Sequence, residues 1–358
     1  MKSASHVVVV AGGSGTRFWP VSRQSRPKQL LDLDGRGSLL AQTFARVVPL
    51  ASPDSWWMVV GSAYAEACRQ AVPDIAPGHV LVEPIGKNTA PAIGLAAAHL
   101  EREDPEALLV VLASDHHIRN EPAWVEALKK AATAAADGSI ATVGLRPTRA
   151  ETGYGYIQRG EPVGQVAGAW RVARFREKPD TKTAEQFVAS GDHFWNASVF
   201  VMQPKTYFAE LTRQRPAMAR SLRKIQEAIG TPNYGRVLGA CYAEMESISI
   251  DYAVMEHAER VTVVSADCGW SDVGSWAALG EVREADTDGN VIAGDVVAVD
   301  SRDCVLYASP QHVVAVVGLD GIIVVHTPEA TLALPASRAQ DVRSIVDKLR
   351  EKGWKAFL

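Results

Sequence analysis

Residues 6–29 read HVVVVAGGSGTRFWPVSRQSRPKQ: an apolar run, three glycines within four positions, then Arg17 and, eleven positions later, Lys28, with no carboxylate in the stretch. A short continuous apolar run followed by turn residues suits a strand buried on both faces. Glycines placed directly after it lie at the strand's carboxyl end, where backbone N–H groups can approach a phosphate without interference from Cβ. Arg17 and Lys28 stay protonated; one offers a forked donor and the other a point charge. A triphosphate is the natural ligand for that combination, which makes Gly12, Gly13, Gly15, Arg17 and Lys28 candidate site residues. A glycine-rich turn without any ligand is the alternative for the glycines alone. Two rival motifs fail on spacing: Phe18 stands where G-x-G-x-x-G needs its third glycine, and no G-x-x-x-x-G-K-[ST] string occurs.

The same texture continues outward. Apolar runs at 56–60, 79–83, 107–113 and 139–145 alternate with LLAQTFARVV, APAIGLAAAHLE and PAWVEALKKAATAAA, which place their apolar residues on one helical face. That alternation predicts a parallel sheet covered on both sides, with ligands at the carboxyl ends of its strands. From about 150 to 275 strand-like and helix-like runs mix, as expected of an insertion that completes one wall of the pocket within the same domain. GEVREADTDGN, residues 280–290, has the polarity of a linker. Beyond it, VIAGDVVAVD, CVLYAS, HVVAVVGLD, GIIVVHT and ATLALP are short β-rich runs, which predict a small solenoid or sandwich. The closing AQDVRSIVDKLREKG spaces Val342, Ile345, Val346 and Leu349 for one buried helical face.

At 358 residues and 47% hydrophobic, the chain can bury one large domain and a smaller one. A net charge of -4 argues against a polyanion-binding surface, so nucleic acid is not expected as a partner. Cys68, Cys241, Cys268 and Cys304 are scattered without a CxxC pair, which suggests neither a disulfide framework nor a zinc site and fits a reducing cytoplasm. No stretch has the length of a membrane span, and the opening lacks a signal-like apolar core, so a protein without membrane attachment is expected.

A phosphate loop of this kind calls for an acidic counterpart. Asp115 ends the run ALLVVLASD at the sheet's carboxyl edge, where a carboxylate can hold Mg²⁺ together with phosphate oxygens and water. A capping or turn aspartate is the alternative there. Asp272, in the compact stretch CGWSDVGSW, is a second candidate whose claim depends on Asp115 being near it. His116 and His117 are poor ligands for a hard cation and are read as surface or capping residues.

Taken in order, GGSGTRFWPVSRQSRPKQ, EPIGKNTAPAIG, ASDHHI, ETGYGYI, REKPD, SIDYAVME and GWSDVGSW resemble the bacterial mannose-1-phosphate guanylyltransferases, over residues 7 to about 276, and the tail also looks like that family's C-terminal region. The resemblance implies an α/β fold: a Rossmann-like nucleotidyltransferase domain with a mixed, mostly parallel sheet over residues 1–283, and a small β-rich, left-handed β-helix-like domain over 284–358. It implies transfer of GMP from GTP to mannose 1-phosphate with Mg²⁺, giving GDP-mannose and pyrophosphate for polysaccharide precursors. Relatives often continue into a phosphomannose isomerase domain; this sequence stops at Leu358, so the transferase activity alone is expected.

Carried over by position, the resemblance puts Arg17 and Lys28 in catalytic roles, Gly12, Gly13 and Gly15 on the nucleotide phosphates, and Asn88 and Thr89 on the base and ribose. Gly155, Glu177 and Asn196 fall on sugar contacts, Lys178 on the sugar phosphate, and Asp115 and Asp272 on the metal. By their local pattern alone, Asn88 and Thr89 also read as a helix cap, and EKP as a solvated turn. Asp251 is read as structural.

Two departures stand out. Relatives commonly have WNSG where this chain has Trp195, Asn196, Ala197 and Ser198, which bears on sugar preference; and LALPASRAQ replaces a His-Lys-Asp string before the arginine. Another nucleotide or hexose 1-phosphate, or a non-catalytic GDP-mannose-binding regulator, are the competing functions. A regulator has no need of both cations and both aspartates. Exposed edges of a small β-rich tail are usually covered, so a homodimer through residues 290–358 is expected.

Overall fold

The computed structural model describes residues 5–13 and 15–358. Its first half alternates strand and helix: β1 Ser5–Ala11, α1 Leu39–Ala45, β2 Trp56–Gly61, α2 Ala65–Ala71, β3 Val80–Glu83, α3 Thr89–Glu103, β4 Leu108–Ala113, the two-residue β5 His117–Ile118, α4 Glu121–Ala135 and β6 Ile140–Leu145. β7 Tyr156–Pro162, β8 Ala169–Arg176, α5 Thr181–Ser190, β9 His193–Met202, α6 Pro204–Gln214, α7 Pro216–Ala228, α8 Tyr234–Glu244, the single turn α9 Ile250–Ala253, β10 Val261–Ala266 and the short β11 Trp270–Ser271 follow.

Nine strands form one sheet in the order β3-β2-β1-β4-β9-β6-β10-β8-β7. Pairings among β1 to β4, and of β6 with β10, are parallel. β9 is antiparallel to both β4 and β6 and joins the two parallel groups, so the expected mixed region is an antiparallel insertion within the sheet. Alternation along each strand explains the two cores. Val7, Val9, Met58 and Val60 face α1, α2 and α4; Val8, Trp57 and Val59 face α3 and the α6–α8 group. Both faces are thereby sealed, and β1 and β4 deliver their carboxyl ends side by side.

The tail is a solenoid, the first of the two architectures its sequence allowed. β12 Val291–Ala293, β14 Val305–Ala308 and β16 Ile322–His326 stack in parallel, and β13 Asp295–Val299 stacks in parallel on β15 Val313–Val317. Partners such as Asp295 and Val313, or Val305 and Ile323, lie eighteen positions apart, one coil of chain per layer. β17 Thr331–Pro335 runs antiparallel to β16 and closes that sheet. The terminal helix α10, Val342–Glu351, buries Val342, Val346 and Leu349 as its spacing predicts.

What that helix packs on is the first loop. Phe18, Trp19, Leu31 and Leu33 share a core with Trp276 and Leu279, with Val305 and Ile323 of the solenoid, and with the apolar face of α10. The Trp19 indole donates to the Phe357 carbonyl at 2.7 Å, and the Trp276 indole to the Trp19 carbonyl at 3.0 Å. Among the described residues no helix is long and apolar enough to cross a membrane.

Candidate active site

The glycine loop leaves the end of β1 with Gly12 and Gly13 open to the cleft, nothing lying within 4 Å of where a side chain would start. Gly15 is different. Its φ of +58° is left-handed, and a Cβ there would sit 2.3 Å from the Cβ of Lys28. Only glycine lets the returning chain pass this closely. The Ser22 hydroxyl fastens the turn by donating to the Gly15 carbonyl at 2.7 Å.

That passage carries Lys28 under the loop, 6% exposed. Its Nζ donates to Asp115 Oδ2 at 2.9 Å and to the Asp272 main-chain carbonyl at 2.5 Å. A miniature antiparallel ladder explains the meeting: β11 pairs with β5, Trp270 opposite Ile118 and Ser271 opposite His117, so residues 115 and 272 flank the same rung. Tyr154 donates to Asp272 Oδ1 at 2.6 Å. Burial would push the Asp115 carboxyl up, but the charge and hydrogen bond of Lys28, with the charge of Arg17, hold it below its ordinary value. Both aspartates are therefore brought to one place, each with a carboxylate oxygen that accepts no hydrogen bond among the described residues.

Could such a pair hold a divalent ion? No cluster of three or more acidic, histidine or cysteine side chains occurs among the described residues. Mg²⁺, however, binds through one or two carboxylates and takes its remaining ligands from phosphate and water, and the two free carboxylate oxygens fit that donor set. His116 accepts from the Trp270 indole at 3.1 Å, and burial pushes its pKa down, which suits a neutral orienting group rather than a ligand.

Around this pair the cleft opens in two directions. A cavity of about 1040 Å³ is lined by Gly13, Gly15, Arg17, Lys28, Asp115, Tyr154, Lys178 and Asp272. On the other side of Gly13 and Asp115, a cavity of about 480 Å³ is lined by Gly12, Glu83, Asn88, Thr89, Ser198 and Asp251. The side chains of Asn88 and Thr89 follow the capping reading: Asn88 Oδ1 accepts from the Thr89 N–H at 2.8 Å, and Thr89 Oγ1 accepts from the Ile250 N–H at 2.9 Å.

Gly155, Glu177 and Asn196 gather at the junction of β7, β8 and β9. A Cβ on Gly155 would lie 2.5 Å from Glu177 Oε2, so the glycine makes room for that carboxylate. The Asn196 N–H donates to the Gly155 carbonyl at 2.8 Å. Lys178 Nζ donates to Glu177 Oε1 at 2.5 Å; burial disfavours its charge, and Glu177 more than restores it. REKPD is therefore a cleft-lining turn whose carboxylate is 7% exposed, and its cation faces the large cavity.

Two carboxylates escaped the sequence reading. Asp251, read as structural, accepts from Asn196 Nδ2 at 2.9 Å and borders the smaller cavity. Burial and the charge of Glu177 push its pKa up. Glu83 ends β3 at 3% exposure; its Oε1 has no hydrogen-bond partner, and burial pushes its pKa up to about 7. The available signal was a carboxylate closing an otherwise apolar strand, where the sheet leaves it no solvent. Ser198, the departure at the end of the Trp195–Ser198 stretch, has a left-handed φ of +52° and borders the smaller cavity.

Residues 6–289 match the family model described as Nucleotidyl transferase, and residues 285–349 match a MannoseP isomerase/GMP-like beta-helix domain. The chain is 41% identical over 352 residues to the xanthan biosynthesis protein XanB of Xanthomonas campestris pv. campestris, covering 97% of this chain and 73% of that protein. It is 39% identical to a mannose-1-phosphate guanylyltransferase of Klebsiella pneumoniae, covering 96% and 74%. A crystal structure from Thermus thermophilus, described as a mannose-1-phosphate geranyltransferase, superposes with a TM-score of 0.89 at 36% identity, covering 98% of this chain and all of that one. The match over residues 6–289, together with relatives about 40% identical along nearly the whole chain, makes this chain a member of the nucleotidyl transferase family, with a β-helix domain following.

Proposed function

We propose that this chain transfers GMP from GTP to mannose 1-phosphate, releasing pyrophosphate and forming GDP-mannose for polysaccharide precursors. The observation that carries the reading is Lys28, buried beneath the glycine loop and bonded at once to Asp115 and to the Asp272 carbonyl. Relatives bearing the name mannose-1-phosphate guanylyltransferase support the substrates.

The base choice is supported by Glu83, whose Oε1 is buried without a donor. A guanine edge offers N1–H and a 2-amino group side by side, the donors such a carboxylate lacks. An adenine edge sets the acceptor N1 beside its single 6-amino donor, so it cannot give a carboxylate two adjacent donors and turns a lone pair toward the negative charge.

In the proposed reaction a phosphate oxygen of the sugar attacks the α-phosphorus, the bond from that phosphorus to the β-bridging oxygen breaks, and pyrophosphate leaves with the electron pair. The attacking oxygen is already ionised at neutral pH, so no general base is needed. The barrier is electrostatic: at 4 Å and an effective dielectric near 20, each pair of unit charges repels by about 4 kcal/mol. Lys28 and Arg17 offset charge on the transferring and leaving phosphates, Lys178 holds the sugar phosphate, and Glu177 and Asn196 take sugar hydroxyls. Asp115 and Asp272 would hold Mg²⁺, which supplies further counter-charge between the phosphates when bound.

A panel of nucleoside triphosphates and hexose 1-phosphates, scored by pyrophosphate release, tests the reading. GTP with mannose 1-phosphate is expected to exceed every other pair by at least about tenfold in kcat/KM, the scale of one lost or misplaced polar contact. Release from no pair would leave the regulator reading standing.

We read residues 1–283 as the catalytic unit and 284–358 as the second unit, acting in the cytoplasm, where four unpaired cysteines stay reduced. We assign the solenoid to a homodimer contact. Val297, Val299, Val313 and Val317 are 47–70% exposed on one face of the β13–β15 sheet, an apolar strip a second copy would cover. Val313→Lys with Val317→Lys is expected to halve the mass measured by light scattering at micromolar concentration; an unchanged mass removes this face as the contact.

A further inference from the structure

The large cavity has a wall that belongs to neither the phosphate loop nor the sugar pocket. Gln340, Arg343 and Arg350, all from the tail, line it together with Arg17. Gln340 Oε1 accepts from Arg17 Nη1 at 2.9 Å, so the tail touches the loop's arginine directly. Arg343 and Arg350 are seven positions apart, two helical turns, and point the same way from α10. Their neighbours on the helix, Val342, Val346 and Leu349, are pinned in the core shared with Phe18 and Trp19, which fixes the wall against the loop.

Position along the cleft says which part of a substrate would meet this wall. The smaller cavity holds Glu83, Asn88 and Thr89; Gly13 and Asp115 border both cavities; Arg17 and the tail lie only on the larger one. A nucleotide with its base beside Glu83 puts its α-phosphate at the shared border and its β- and γ-phosphates on the side of Arg17. Arg350 pairs with Asp347 at the surface, and Arg343 takes part in no ion pair among the described residues. Guanidinium forks held with such loose anchorage suit phosphate oxygens.

We propose that Arg343 and Arg350 bind the pyrophosphate portion of the nucleotide, and that Gln340 positions Arg17 for the same group. The solenoid's terminal helix thus completes the leaving-group subsite. This rests on the nucleotidyl-transfer reading above, and the test separates the two.

Inorganic pyrophosphate is titrated calorimetrically into the full chain, wild type and Arg343→Ala/Arg350→Ala, with Mg²⁺ present. The double variant is expected to bind at least about tenfold more weakly, the scale of two solvent-exposed charge-assisted contacts. KM for GTP should rise in parallel, while KM for mannose 1-phosphate stays within twofold. Arg343→Lys/Arg350→Lys should recover part of the affinity, and Lys348→Ala, on the same helix but outside the cavity, should match wild type. The unfolding temperature of each variant reports whether the helix is still docked. Pyrophosphate affinity within twofold of wild type in a folded double variant overturns the proposal. So does an equal loss for mannose 1-phosphate, which would mark a general disturbance. A wild type that binds pyrophosphate but releases none from GTP and mannose 1-phosphate would refute the transfer reading and leave the binding comparison intact.

Discussion

Lys28→Met is expected to lower kcat by about 10²- to 10³-fold, the cost of removing one preorganised donor from a charge-stabilising site. Methionine keeps the stem's volume but not its charge. The buried ammonium is lost from beneath the loop, and with it the bonds to Asp115 at 2.9 Å and to the Asp272 carbonyl at 2.5 Å. Two consequences then combine: the transferring phosphate loses a counter-charge, and the Asp115 carboxylate loses the cation that ties it to the backbone at Asp272. Because the Asp115 side chain is 32% exposed, water relieves part of its stranded charge, and the fold should survive with a reduced unfolding temperature. Lys28→Arg should rescue little, since a planar fork cannot place one donor between those two oxygens. A kcat within threefold of wild type at saturating GTP would remove Lys28 from the reaction.

Glu83→Gln should lower kcat/KM for GTP by about 10²-fold, since two donors of the base would lose charge-assisted acceptors. KM for mannose 1-phosphate should stay within twofold. The wild type carries a pH signature that the variant lacks. Guanine needs the ionised carboxylate, and burial pushes the free group's pKa up to about 7. KM for GTP should therefore climb as pH drops below about 7, approaching tenfold per unit.

Stability moves the opposite way. A carboxyl whose folded pKa exceeds its unfolded one binds its proton more tightly when folded, so its contribution is fully present below the unfolded value of 4.5 and is lost as pH rises through about 7. Across that window Glu83→Gln should gain on wild type by up to about 3 kcal/mol. Melting curves of the two proteins between pH 4.5 and 8 give the comparison; a constant difference would show that the carboxyl is not held protonated.

Much of this was legible in the chain because periodicity and local chemistry are one-dimensional signals. HVVVV and ALLVVLA announce strands buried on both faces, and β1 and β4 are that. Arg17, Lys28 and Asp115 follow strand ends closely enough for sequence position to place them at one sheet edge. Asp272 depended on pairing between β5 and β11, two residues each, too short to leave a pattern. Glu83 and Asp251 were missed for another reason. A carboxylate's significance here comes from being shut away from water, which is a property of what surrounds it. The amphipathic spacing of α10 disclosed a buried stripe but not its counterpart, since the loop it covers lies more than three hundred residues earlier.

The family boundary between residues 285 and 289 is a seam of descent rather than a seam of folding. Because α10 supplies part of the floor beneath Phe18 and Trp19, neither half of the molecule can drift in sequence without regard to the other. A graft that exchanged this solenoid for one from a distant relative would inherit a mismatched floor, and its first symptom would appear at the opposite end of the chain.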